Sequence, residues 1–392
     1  MTSAPSGPAY DVFQQTFRLS ILANSAWTDT GTQPELLAKL TAAVTSGLNS
    51  QAEQALIGKW SVAWGPQVWQ NTGSSVADNA MYVAYNPAVK FADGLTHEAY
   101  VVAIAATGPF STYDWLTEDF DVSSVVAFDT FNPLQPAPTP APTPVSPTTA
   151  VISMGTAIGV SNLLKMTSPN GAPAAGQSLA QFLGSLKGNN KAVIFTGHSL
   201  AGALSPTVGL WLKKNKYLAG FGPDGTYHFV YATAGATPGN LAFASEFSSH
   251  FVPNLKPPAN SYKVWNRQVW NTLDVVPHAW NLDLLSKVPK LYGNPNLDAI
   301  DAAVALAAAN AARSKVYYVH TAEEQLTGTL TGPVSTTLEF LKQAAYQHTT
   351  AYGALIAAGP SGETLDVPEE RLVALAAALE AKAPQEPATA DA

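Results

Sequence analysis

The chain has 392 residues, of which 46% are hydrophobic and only 12% charged, with a net charge of −8 and a pI near 5.3. This is enough apolar material for one large α/β domain or two ordinary ones, while the acidic balance and the lack of a dense Lys/Arg run argue against a nucleic-acid partner and against strong steering to anionic membranes. Cysteine is absent, which removes disulfides, thiolate metal sites and a Cys nucleophile together, and no stretch nears the roughly 18 consecutive apolar residues of a membrane span, so a soluble protein is expected.

The first residues, MTSAPSGPAYDVFQQTFRLS, lack the basic start and continuous apolar run of a secretory leader. The expectation is a protein that stays inside the cell, or a chain that begins after a cleaved leader. Phe13, Phe17 and Ile21 recur at helical spacing over 11–24, and a second helical pattern covers 35–48 after Pro34. NAMYVAYNPA and EAYVVAIAATG, separated by turn residues, read as neighbouring strands. Residues 133–148, PLQPAPTPAPTPVSPT, offer few ladder donors and read as a solvated polyproline-like loop.

VISMGTAIGVSNLLKM follows, then GQSLAQFLGSLKGNN, an amphipathic helix closed by Gly188. YHFVYATAGATPGN and SYKVWNRQVWNTLDVVP each read as a strand entering a turn. LDAIDAAVALAAANAARS is an Ala-rich helix, and TTLEFLKQAAYQHTTAYGALI a helix running to near Gly359. Asp366 and Glu369 suggest a capping box for a last helix to about Lys382, with Pro368 early in it; the final ten residues read as disordered. Strands alternating with helices predict an α/β fold, a mostly parallel sheet covered on both faces. There is no tandem repeat. The Pro-rich stretch is taken as an insertion in a single domain over 1–365, with a C-terminal helix and tail over 366–392. The apolar patches of 121–166 beside it suggest a lid.

VIFTGHSLAGAL, residues 193–204, begins as a buried strand and ends as a helix. A strand that reverses into a helix within two residues needs small neighbours, and Gly197 and Ala201 flank Ser199 at two positions on either side. Such a turn exposes the hydroxyl in a strained backbone, with the helix's first amides aimed at developing negative charge. These are the requirements of a serine nucleophile, which also needs a base and an orienting carboxylate. No HExxH, phosphate loop or carboxylate cluster is present, so neither cofactor nor metal is implied.

GHSLAGAL resembles the nucleophile motif of the class 3 (fungal-type, triacylglycerol) lipases, a family of α/β-hydrolases. VVAIAATGPFSTYDWLTEDF (101–120) is similar to that family's oxyanion strand and loop, and FVYATAGATPGNLAF to its strand after the nucleophile helix. NTLDVVP resembles the stretch bearing the acidic member of the triad, which falls on Asp274; AAYQHTTAY resembles the one bearing the catalytic His, which falls on His348. The order Ser, acid, His is that of α/β-hydrolases. The resemblance covers roughly residues 80–355.

It implies an α/β-hydrolase fold with a lid-like insertion and a cofactor-independent lipase acting on acylglycerols or other apolar esters. Ser199 would be the nucleophile, His348 its base and Asp274 the residue orienting that base. The oxyanion hole would be formed by the N–H of Leu200 and by Thr107. The implied partners are a lipid or other apolar ester substrate and a transient lipid interface. Carboxylesterase, phospholipase A1 and polyester hydrolase activities fit the same triad, and a hydrolase-like binding protein is the reading from another class.

The sequence also departs from the family pattern. Ala201 stands where Gly is usual, Ala105 and Ala106 stand where Arg-Gly is usual, and Pro206 interrupts the nucleophile helix. Asp283 and Asp301 rival Asp274, and His278 and His320 rival His348. His198 reads as a packing residue, and Asp114, Trp115 and Asp119 as organisers of the oxyanion loop.

Overall fold

The computed structural model describes residues 7–106, 121–253, 260–293, 296–359 and 367–383. Eleven strands are present among them: β1 Ser61–Trp69, β2 Asn79–Lys90, β3 Thr96–Ile104, β4 Val125–Ala127, β5 Val151–Ser153, β6 Lys191–His198, β7 His228–Thr233, β8 Gly239–Asn240, β9 Arg267–Asn271, β10 Tyr318–Val319 and β11 Glu323–Leu326. The helices are α1 Val12–Ala23, α2 Gln33–Asn49, α3 Gln51–Ile57, α4 Met154–Lys165, α5 Leu179–Ser185, α6 Leu200–Lys214, α7 Leu241–His250, α8 Leu282–Leu285, α9 Asp298–Arg313, α10 Thr337–His348, α11 Thr350–Leu355 and α12 Glu369–Lys382.

Seven strands form the central sheet in the order β1-β2-β3-β6-β7-β9-β11. From β3 to β11 every neighbouring pair is parallel, and β1-β2-β3 join antiparallel. Its inner strands β3, β6 and β7 are mostly apolar and buried because both faces are covered there. In β3, Ala99, Val101 and Ala103 enter the core under α1 and α2, while Tyr100, Val102 and Ile104 enter the core under α4, α5 and α6. A small sheet, β10-β8-β5-β4, runs beside it. A third core gathers α9, α10 and α12 around Val275 and Val276.

Several expectations change. β1 and α3 were not anticipated; in β1, Gly65 and Pro66 break the alternation, and the register slips between Trp64 and Gln67. The predicted helix ending at Gly188 stops at Ser185. The predicted helix over 336–356 is two, because Thr349 leaves helical geometry at φ −118°, ψ −79° and sends α11 into a different core from α10.

Much of 121–166, where a lid was expected, packs into the body. Val126, Phe128, Ile152 and Leu163 are buried in the core beneath α6, so burial on the sheet explains their apolarity. The Pro-rich stretch between β4 and β5 contains no regular element. Pro368 occupies the cap position of α12, while Asp366 lies outside the described residues.

Candidate active site

Ser199 sits between the last residue of β6 and the first of α6, at φ 62° and ψ −130°. A non-glycine residue there is strained and has to be held by its surroundings. Its N–H donates to the carbonyl of Thr233 at the end of β7 (3.1 Å), and its carbonyl accepts from Gly202 N (2.8 Å). Gly197 is obligatory here, since a Cβ on it would lie 2.5 Å from the Cβ of Ala201. The Gly-to-Ala departure at 201 therefore fills the space that Gly197 leaves, and the turn survives.

The close approach of helix to sheet falls at Gly202. A Cβ on Gly202 would come 2.5 Å from the Thr233 carbonyl and 2.7 Å from Gly235 Cα. Pro206 does not end α6, but lacking an N–H it leaves the carbonyl of Gly202 without its helical donor. Gln268 of β9 compensates: with its amide oriented as the surrounding donors and acceptors require, its nitrogen donates to Gly202 O at 3.1 Å and its oxygen accepts from Gly235 N.

Asp274 follows β9 and is fully buried. Its carboxylate accepts from Val276 N (3.0 Å), from the Tyr352 hydroxyl (2.8 Å) and from His348 Nδ1 (2.9 Å to Oδ2, 3.0 Å to Oδ1). His348, the last residue of α10, is equally buried. Donation from Nδ1 to Asp274 assigns the proton to that nitrogen and leaves Nε2 with a lone pair, for which no hydrogen-bond partner exists among the described residues.

His198, immediately before Ser199, places its ring 5.0 Å from that of His348 and bonds the His348 carbonyl through Nε2 at 2.7 Å. Burial, then the neighbouring His348, hold the His198 pKa well below the ordinary histidine range.

The rivals take other places. Asp283 and Asp301 lie in the first turns of α8 and α9. His278 donates to the Asp274 carbonyl (2.7 Å) and His320 to the Pro277 carbonyl (2.7 Å), so both brace the turn that carries Asp274. Burial lowers the pKa of each.

Leu200 is the first residue of α6, where a backbone N–H has no partner within the helix. Thr107 lies outside the described residues, as do Asp114, Trp115 and Asp119. Ala105 and Ala106 are buried, and Ala106 N donates to Asn24 Oδ1 at 2.7 Å, which fixes the chain at the end of the described β3 segment.

Sequence reasoning missed Tyr352, Gln268 and Asn24. Tyr352 alone had a local signal, one helical turn beyond His348. Among the described residues no cluster of His, Asp and Glu is placed to hold a metal, and no helix is long and apolar enough to cross a membrane.

Residues 143–283, which include Ser199 and Asp274, match the family model described as Lipase (class 3). Over that stretch the chain is similar to the class 3 lipases. It has the α/β-hydrolase fold, and the family match together with the likeness to lipase structures makes it a carboxylic ester hydrolase. It is similar to the crystal structure of M37 lipase, at 26% identity and a TM-score of 0.69 over 93% of this chain and 99% of that one. It also aligns, at TM-scores of 0.40 and 0.38, with a mutant form of MDLA from Penicillium cyclopium (16% identity, 83% and 82% of the two chains) and with a mono- and diacylglycerol lipase from Aspergillus oryzae (14%, 83% and 81%). No curated protein matches the sequence.

Proposed function

We propose that this protein acts as a class 3 lipase, hydrolysing carboxylic esters with apolar acyl chains, acylglycerols foremost, through an acyl-enzyme on Ser199. One observation carries the reading: a buried Asp274–His348 pair at 2.9 Å, its Nε2 unpartnered among the described residues, at the strand end that holds Ser199 in a strained turn.

In the first half-reaction, His348 Nε2 takes the Ser199 proton as Oγ attacks the ester carbonyl, and Asp274 stabilises the resulting imidazolium. The carbonyl oxygen becomes an oxyanion facing Leu200 N–H and the first turn of α6. Collapse breaks the ester C–O bond, His348 returns its proton to the departing alcohol, and the acyl group stays on Ser199. Water then attacks with His348 as base, releasing the acid and restoring the serine. Buried Tyr352 remains a donor to Asp274 because burial and the carboxylate's charge hold its phenol far above the ordinary tyrosine range. A lipid substrate, met through transient contact with a lipid interface, is supported by the match to the Lipase (class 3) model and by the likeness to M37 lipase.

Hydrolysis of p-nitrophenyl esters from acetate to palmitate by wild type and Ser199→Ala tests it. Long-chain preference lost in the variant is expected; a short-chain optimum moves the protein to the esterases. Turnover that survives in the variant refutes the role of Ser199.

A further inference from the structure

The last carbonyls of a helix have no intrahelical donor and are commonly met by water or by a glycine cap. α10 ends differently. The carbonyl of Gln347 accepts from Asn271 Nδ2 at 3.0 Å, and the carbonyl of His348 accepts from His198 Nε2 at 2.7 Å. His198 is the final residue of β6 and Asn271 the final residue of β9. One is followed directly by Ser199, and the other leads within three residues to Asp274. Both donors are buried, and the helix geometry breaks at the next residue, Thr349.

We propose that His198 and Asn271 form a clamp that sets the position of His348 between its acid and its nucleophile, with His198 acting as a positioning residue and not as packing. The inference rests on the roles given above to Ser199, His348 and Asp274.

The tautomer is determined by the partners. Nε2–H donates to a carbonyl, which can only accept, so Nδ1 is the acceptor and the Thr233 hydroxyl donates to it at 2.9 Å. The ring is also held by the edge-on Tyr352 ring at 4.9 Å. His198 therefore has one orientation, and the carbonyl it grips belongs to the residue whose side chain moves the proton. Because the clamp acts on the backbone, it fixes where the imidazole starts, while Asp274 fixes its rotation.

His198→Phe keeps a ring but loses the donor; His198→Gln keeps an N–H donor and cannot titrate. The expected result is a loss of about 10²-fold in kcat for H198F with KM nearly unchanged, the cost of a displacement of roughly 1 Å at the reacting group. Inactivation of Ser199 by a fluorophosphonate should slow by a similar factor. H198Q should recover about tenfold of that loss and keep the wild-type acid limb of kcat/KM, since the clamp needs a donor and not a charge. Should H198F fail to fold, Asn271→Ala, which frees the neighbouring carbonyl, carries the same expectation.

Folded H198F that labels and turns over within about threefold of wild type overturns the clamp, as does H198Q no better than H198F at equal thermal stability. Wild type that the fluorophosphonate does not label fails the underlying catalytic reading instead, so the two failures are distinct.

Discussion

Tyr352 donates its hydroxyl to Asp274 Oδ2 at 2.8 Å while accepting from Asn271 N at 2.9 Å. One phenol thus ties the acid to the strand that leads to it, and it comes from the helix that follows His348. Tyr352→Phe removes a donor from a fully buried carboxylate. We expect kcat to fall by about tenfold and the urea midpoint to drop by the equivalent of about 2 kcal/mol. Steady-state kinetics and denaturation on the same preparation check both.

Gly202 and Gly235 let the first turn of α6 reach the end of β7. Gly202→Ala places a methyl group 2.5 Å from the Thr233 carbonyl, which also receives the Ser199 N–H. The expected outcome is a loss of about 3 kcal/mol or failure to fold. Thermal melting within a degree or two of wild type would mean that the helix and sheet are not packed this closely.

Gln268 and Pro206 should be energetically coupled. Gln268→Leu leaves the Gly202 carbonyl and the Gly235 N–H unpaired and is expected to cost about 2–3 kcal/mol. Pro206→Ala restores a helical donor to Gly202, so the loss should be smaller in the double variant than the sum of the singles. A double-mutant cycle on urea midpoints measures the coupling, and strict additivity would contradict it.

Burial, the largest cause in each case, lowers the pKa of His198, His228, His278 and His320. A histidine whose folded value lies below its unfolded value binds fewer protons when folded. The stability it contributes is complete above the unfolded value, about 6.5, and is lost as pH falls from there towards the folded value. Each such group adds a slope of roughly 1 kcal/mol per pH unit. Urea midpoints should therefore be level above about pH 7 and decline below about pH 6.5, and His228→Phe, remote from Ser199, should make the decline shallower. A midpoint constant down to pH 5 would contradict this.

What was legible in the sequence was whatever is written in short periods or motifs. β3 and β6 read clearly because two covered faces make a continuous apolar run, and Ser199 because a sharp turn demands small neighbours. β1 was lost because Gly65 and Pro66 erase its alternation. The single helix expected over 336–356 hid its break, since Thr349 departs from helical geometry for a tertiary reason. The same pattern of burial made 121–166 look like a lid when Val126, Phe128, Ile152 and Leu163 belong to the core. Asn24 and Gln268 were invisible because each acts on backbone groups more than 30 residues away, which no local pattern encodes.

Ser199 is the proposed nucleophile, activated by His348. Peptide mass spectrometry after treatment with a fluorophosphonate tests it most directly, with wild type, Ser199→Ala and His348→Ala compared at equal folded concentration. A single adduct is expected on the peptide carrying Ser199, absent in the first variant and at least about 10³-fold slower to form in the second. An adduct on another residue, or labelling of His348→Ala at the wild-type rate, would contradict it.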